Sequence, residues 1–251
     1  MKRLLLIIIF IYSVNLYSQN LPSDSIVLKK IYGKFENDGK SFKHKLNEEE
    51  LNFSNKDSIC YRIVFKERTC INKRNLILTI LEANNSFQHG HQFGYRDYYF
   101  IEQFENRIEI IDSIISYDEI PIGDKSNFEI ADIGKQKKVL ISNFQSTGND
   151  HFEKKLNLYL LEIGKITFLL TIHSEYDNST WNTPDLENEI CEAQKYQENF
   201  EIEKNDTDWF NIRIHRTDYK FTNGCKESFI MSEFDKVYSY VNGQYEEIKN
   251  N

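Results

Sequence analysis

Hydrophobic side chains recur at every other position along most apolar stretches of this chain, the period of a half-buried β-strand. The pattern is densest between Asn127 and Ile172. There Phe128 and Ile130 alternate with Glu129 and Ala131, and Gly134 marks a turn. Val139 to Phe144 is a brief apolar run that suits a strand buried on both faces. Leu156, Leu158 and Leu160 share one face, Gly164-Lys165 reads as a tight hairpin link, and Ile166, Phe168, Leu170 and Ile172 repeat the period of two on a single face. The stretch predicts a four-stranded antiparallel meander.

Similar signals occur on either side. Strands are predicted at Ser25 to Tyr32, at Ser58 to Lys66 with Ile59, Tyr61, Ile63 and Phe65 on one face, and at Asn75 to Ala83. Tyr95 to Ser116 reads as two strands about Glu105-Asn106, and Lys236 to Ile248 as two strands about Asn242-Gly243, a strong hairpin dipeptide. Asn75 to Ala83, Lys137 to Phe144 and Asp208 to Thr217 each supply a strand ahead of one of these hairpins. Three repeats of a four-stranded meander therefore cover much of the chain, spaced more widely than propeller blades usually are, with the extra length in the connections. The expected fold is all-β, either an incomplete propeller-like array or a β-sandwich, in a single domain from residue 20 to residue 251. Helix is expected only at Leu46 to Leu51 and within Thr183 to Asn199, where Pro184 would start a turn with Leu186, Ile190 and Ala193 inward; an irregular acidic loop is the alternative there.

The first residues alter the setting. Lys2 and Arg3 precede an apolar run from Leu4 to Val14, too short to cross a bilayer comfortably, so residues 1–19 read as a secretory signal peptide cleaved near Ser18 or Gln19. The product is expected to be secreted or periplasmic, with no membrane insertion after cleavage. The formal charge of -8 falls to about -10 without Lys2 and Arg3, and an acidic surface repels phosphate backbones, so nucleic acid is not an expected partner. Four cysteines remain: Cys60, Cys70, Cys191 and Cys225. In an exported chain they are expected to form two disulfides, and of three connectivities the local one, Cys60 with Cys70 and Cys191 with Cys225, asks least of the topology.

Candidate chemistry is sparse. His89 and His91 flank Gly90, and two imidazoles at that spacing share a face of extended backbone, a potential pair of metal ligands that needs a third from His151, His173, His215 or a carboxylate. Near Asp132 and Gly134 a calcium loop would need oxygen ligands where Lys135, Lys137 and Lys138 stand, so that turn reads as structural. Tyr176, Asp177, Asn178 and Trp181 combine aromatic surface with short polar groups, the composition of a ligand-binding loop, although Asp, Asn and Ser also serve simply to fold turns. No nucleophile elbow, zincin helix or phosphate loop is present, and no catalytic residue or cofactor is expected.

A polar His-Gly loop before a YYF strand, the run FEIADIGKQKKVLISNF, the fragment YDNS and the ending YSYVNGQYEEI together resemble exported bacterial proteins described only as hypothetical. The resemblance spans roughly Asn75 to Ile248 and implies export and an all-β fold. More loosely the chain is similar to propeller-like secreted inhibitors of lysozyme, whose calcium-binding aspartates are absent here. The function expected from these features is non-enzymatic binding of a protein or glycan of the cell envelope. A metal-dependent hydrolase using His89 and His91, or an inhibitor of a cell-wall lytic enzyme, is the alternative.

Overall fold

A computed structural model describes residues 20–33, 36–37, 42–45, 58–84, 93–104, 107–121, 127–147, 151–179, 193–222 and 227–248. The elements are α1 (Asp24–Tyr32), β1 (Glu36–Asn37), β2 (Phe42–Lys45), β3 (Ser58–Ile71), β4 (Arg74–Asn84), β5 (Phe93–Phe104), β6 (Arg107–Pro121), β7 (Asn127–Gly134), β8 (Lys137–Thr147), β9 (Phe152–Glu162), β10 (Lys165–Asp177), β11 (Lys195–Glu203), β12 (Asn211–Thr222), β13 (Glu227–Val241) and β14 (Gln244–Glu247). Every pairing is antiparallel between neighbours in sequence, giving one sheet of β1 to β6 and a second of β7 to β14. The protein is all-β, as the alternation predicts.

The second sheet is continuous but pinched. β10 and β11 pair only at Tyr176–Tyr196 and Asp177–Lys195, whereas β11 and β12 pair over nine positions. Past the pinch the strands part and an apolar core fills the gap: Ile133, Val139, Ile141, Leu158, Leu160, Leu169 and Ile172 from one side, Ile212, Ile214 and Tyr245 from the other. The chain is therefore three consecutive four-stranded meanders, β3–β6, β7–β10 and β11–β14, laid face to face. Leu140, Leu161 and Ile166, on the opposite face of the middle meander, pack with Leu76, Leu78, Ile80, Tyr98 and Phe100 of the first. The middle meander is thus buried on both sides, which explains the unbroken apolar run at Val139 to Ile141.

The far face of the first meander is closed by α1, whose Val27 and Leu28 pack on Ile77, Leu81, Tyr99 and Ile101. A strand was the expectation here, and a helix is what forms. Ser23 supplies the N-cap, its hydroxyl accepting from the Ile26 N–H; Asp24 lies in the first turn, Lys29 and Lys30 in the last, and Val27, Leu28 and Ile31 recur at helical spacing. The Lys66 Nζ reaches the Asp24 carboxylate at 2.5 Å and the Pro22 carbonyl at 2.6 Å, tying the cap to β3. Among the described residues no helix is long and apolar enough to cross a membrane.

Two further expectations fail for one physical reason, the β-bulge. Phe168 pairs with Tyr159 but Leu170 with Leu158, so Leu169 is an extra residue. Ile166 therefore faces the first meander, while Leu170 and Ile172 face the third. The same slip at Val64, between the Ile63–Leu81 and Phe65–Ile80 pairs, sends Ile63 toward α1 and Phe65 toward the second sheet. The second hairpin of the middle meander turns at Ile163-Gly164, one residue earlier than expected, with Gly164 at φ 71°. Asn242-Gly243 forms its turn as expected, at φ 50° and 99°. Lys195 to Asn199, part of the helical expectation, are in β11; the rest of that segment up to 192, like Leu46 to Leu51, lies outside the described residues.

The local disulfide expectation fails for Cys60 and Cys70. Both stand on β3, ten residues and therefore roughly 33 Å apart along an extended strand, far beyond the ~7 Å Cα separation that a disulfide spans. Cys70 is an exposed free thiol. Cys191 and Cys225 lie outside the described residues.

Candidate functional site

The meanders stack in the same sense. Gly164, in the turn of the middle meander, lies against the Asp112 carboxylate near the start of β6, and Gly134 bridges to Trp209 between β11 and β12. The two-residue turns at Asn72-Lys73, Lys135-Gln136, Ile163-Gly164 and Asn242-Gly243 therefore gather at one end. The connections that follow β4, β6, β8, β10 and β12 leave from the opposite end, which we call the loop end. His89 and His91, in the connection after β4, and Trp181, in the connection after β10, lie outside the described residues.

At the loop end the apolar core between the second and third meanders gives way to polar side chains. One row crosses five strands: Glu153, Tyr176, Tyr196, Asp218 and Ser232, each the register partner of the next. Partners in register share a face of the sheet, so these side chains stand together. The Tyr176 and Tyr196 rings stack 5.2 Å apart and nearly parallel, and His151 stacks on Tyr176 at 5.7 Å. The Arg216 guanidinium covers Tyr196 at 3.8 Å, closing a four-membered stack. With the ring faces engaged, the row presents ring edges rather than an open platform.

Behind the stack lie two buried carboxylates, each 7 % exposed. Burying a charge is costly without partners, and both have them. Glu198 accepts from the His173 backbone N–H at 2.9 Å and from Arg216 Nη1 at 3.3 Å. The first of these bonds replaces the ladder bond that β10 and β11 lose where they part. Glu153 accepts from His173 Nδ1 at 2.8 Å and from Lys155 at 2.6 Å. An ionised Glu153 requires a hydrogen on Nδ1, so Nε2 is the ring nitrogen left for a further partner, on a ring about one third exposed. Arg216 also donates to Asp218 at 2.9 Å, and Ser232 to the other oxygen of Asp218. Burial pushes the Tyr196 hydroxyl toward its neutral form, and although burial opposes the Arg216 charge, Asp218 and Glu198 hold that guanidinium more firmly protonated than usual. Three carboxylates against Arg216 and Lys155 leave the cluster with one net negative charge, a setting for hydrogen-bonding ligands rather than polyanions.

The loop residues expected to bind do not all meet there. Tyr176 joins the stack, but Asp177, its neighbour on the strand, belongs to the opposite face and folds the turn: its Oδ1 accepts from the Ser179 N–H at 2.8 Å and hydroxyl at 2.6 Å, and Lys195 pairs with Oδ2 at 3.1 Å. Asn178 exchanges bonds with Gln194 on the far side of the connection. The structure instead brings in Glu153, Tyr196, Glu198 and Arg216, which the sequence pattern does not single out, together with His151 and His173, which it names only as third ligands for a metal. Glu198 is the available signal, since it shares its face of β11 with the apolar Phe200 and Ile202; Glu153 gives none, because it recurs with Lys155 and Asn157 on β9.

His215, another potential third metal ligand, is on the solvent face of the third meander, bonded to Asp235 at 2.8 Å within a lattice that also holds Arg213 and Glu203. Among the described residues no group of three or more His, Cys, Asp or Glu is placed to hold a metal ion. At the turn end a cleft of about 270 Å³ opens between the first and second meanders, lined by Glu67, Thr69, Cys70, Ile130 and Lys138. Burial, reinforced by the Glu129 charge and opposed by Lys138, holds Glu67 above the usual carboxylate range. Comparison with protein-family models, with curated proteins and with solved structures finds no match in any of the three.

Proposed function

We propose that this chain is an exported, non-enzymatic binding protein that takes a protein or glycan of the cell envelope at its loop end, over the row formed by Tyr176, Tyr196 and Arg216. The single observation behind this reading is the conjunction of a four-membered stack with two buried, fully paired glutamates and one part-exposed histidine where the apolar core ends. A purely structural strand end needs no such investment in buried charge. Aromatic side chains with fixed orientation, backed by hydrogen-bonded charge, are the usual make-up of recognition surfaces. The export signal read from Lys2 to Val14 sets the partner class, and the single net negative charge of the cluster favours hydroxyl, amide and carbonyl groups over phosphate.

The test is binding of the purified chain to immobilised envelope polysaccharide and to envelope proteins, beside the variants Tyr176→Ala and Arg216→Gln. Saturable binding weakened tenfold or more by either variant, with far-ultraviolet dichroism unchanged, is the expected result. Binding indifferent to both places the ligand elsewhere and removes this reading.

A further inference from the structure

The third meander ends in an open edge. β13 runs for 15 residues but β14 for four, pairing only Tyr238 to Val241, and the Ile248 N–H adds one bond to the Val237 carbonyl. Among the described residues no strand lies along the outer edge from Glu227 to Lys236. That edge carries Phe229, Ile230, Met231 and Phe234 at 49, 55, 60 and 39 % exposure, a cluster of large apolar groups beside unpaired backbone. Exposed edge backbone of this kind is a template for another strand.

The geometry points to a second copy of this chain as the occupant. We propose that two β13 edges pair antiparallel about a two-fold axis, with Phe229 opposite Phe234 of the second copy and Glu227 opposite Lys236 of the second copy. The bulge in β13 decides the register. Ser232 pairs with Asp218 and Ile230 with Tyr219, leaving Met231 as the extra residue, so the alternation slips by one. Glu227 and Phe229, opposite Thr222 and Lys220, therefore share a face with Phe234 and Lys236, opposite Arg216 and Ile214.

Antiparallel partners must share a face, so a two-fold pairing that straddles this bulge needs partners an odd number of residues apart. Sliding the register by one allowed step sets Glu227 against Phe234, or Phe229 against Lys236. The register chosen matches opposite charges and pairs aromatic rings, and symmetry repeats each match. The backbone agrees. The Val237 carbonyl points to the outer edge, and alternation directs Glu233 and Asp235 the same way, with Ile230 and Ser228 beyond the bulge. In this register Ser228 faces Asp235 and Ile230 faces Glu233, so outward-pointing groups meet as hydrogen-bonded pairs. Phe229–Phe234 and Glu227–Lys236 then fall at the closer, non-hydrogen-bonded positions. Ten residues a side form a small interface, so the dimer is weak and reversible, with a dissociation constant on the order of 10 μM or more.

Sedimentation velocity of the full chain from about 5 to about 500 μM brackets that range. The weight-average mass is expected to climb from 29.9 kDa toward twice that value. Phe229→Asp should abolish the rise, Lys236→Glu should weaken association about fivefold, and Glu227→Lys combined with Lys236→Glu should restore it, since each of these exchanges reverses one member of an opposed pair. Glu227 and Phe229 are exposed and Lys236 is half-buried, and unchanged far-ultraviolet dichroism verifies folding. A mass constant across the range, a dimer indifferent to Phe229→Asp, or a charge swap that restores nothing overturns the proposal.

Discussion

At the scale of single residues, closely approached glycines and paired carboxylates carry much of the specificity. A Cβ on Gly134 would run into the backbone carbonyl of Asp208, and backbone moves less readily than a side-chain tip. Gly134→Ala is therefore expected to cost about 2 kcal/mol or more, because it pushes the middle meander off the β11–β12 connection; the urea midpoint of the variant measures it. Asp177 gives a dependence on pH. Burial works against its charge, yet the Ser179 hydroxyl and N–H with Lys195 hold its carboxyl below the ordinary 3.8. The unfolded chain thus binds the proton more readily, so the stabilisation is complete above that value and fades as pH falls through the folded pKa. Asp177→Asn should melt below the parent protein at pH 7, with the difference closing below about pH 3.8. A gap that does not narrow as pH falls below 3.8 would contradict the assignment.

At the scale of elements, bulges determine which layer each strand addresses. Deleting Leu169 would remove the bulge and make Phe168 and Leu170 ordinary alternating neighbours opposite Tyr159 and Leu158, so Leu170 and Ile172 would keep facing the third meander. The deletion is therefore expected to cost as much as Leu169→Ala, about 2 to 3 kcal/mol, since each variant loses one buried side chain and neither turns a core position outward. Thermal unfolding of the two variants checks this, and failure of the deletion variant to fold would contradict it. Such bulges mark where the sequence stops being readable. Alternation identifies β4, β8, β9 and the hairpin at Asn242-Gly243, because each keeps one phase throughout. It misplaces Phe65, Leu170 and Ile172, because an inserted residue flips the face without changing composition. Asn72-Lys73 makes a turn without glycine, both residues at positive φ, so β3 and β4 are joined where no strong turn dipeptide advertises it. The segment Ser25 to Tyr32 has apolar residues that fit either period, and the cap at Ser23 settles the contest in favour of helix. Tyr176 is legible as a candidate site residue through its aromatic and polar neighbours in sequence. Tyr196 reaches it only through the short β10–β11 ladder, with Glu198 and Arg216 joined to Tyr196 by the pairing of β11 with β12, and no local pattern encodes that meeting.

At the scale of the whole molecule, α1 and three meanders form successive layers, and the chain visits them in order. Sequential layering keeps tight turns at one end and gathers the longer connections at the other, so the frame is conserved in geometry while the loop end is available for recognition. The layering also governs the cysteines. With Cys60 and Cys70 on one strand, peptide mapping under non-reducing conditions should find no Cys60–Cys70 crosslink, and Cys70 should react with iodoacetamide in the native state. Recovery of that crosslink in stoichiometric amount would mean that β3 does not run unbroken from Ser58 to Ile71.

The claim beneath all of this is that the middle meander packs one face on the first meander and the other on the third. Methyl-resolved nuclear Overhauser spectroscopy tests it most directly, with Leu140 and Leu161 as reporters for one face and Leu158 and Ile172 for the other. The account predicts contacts from the first pair to Leu78, Ile80 and Phe100, and from the second pair to Ile212, Ile214 and Tyr245. Contacts from both pairs to the same partners, or from Leu158 to the first meander, would contradict it.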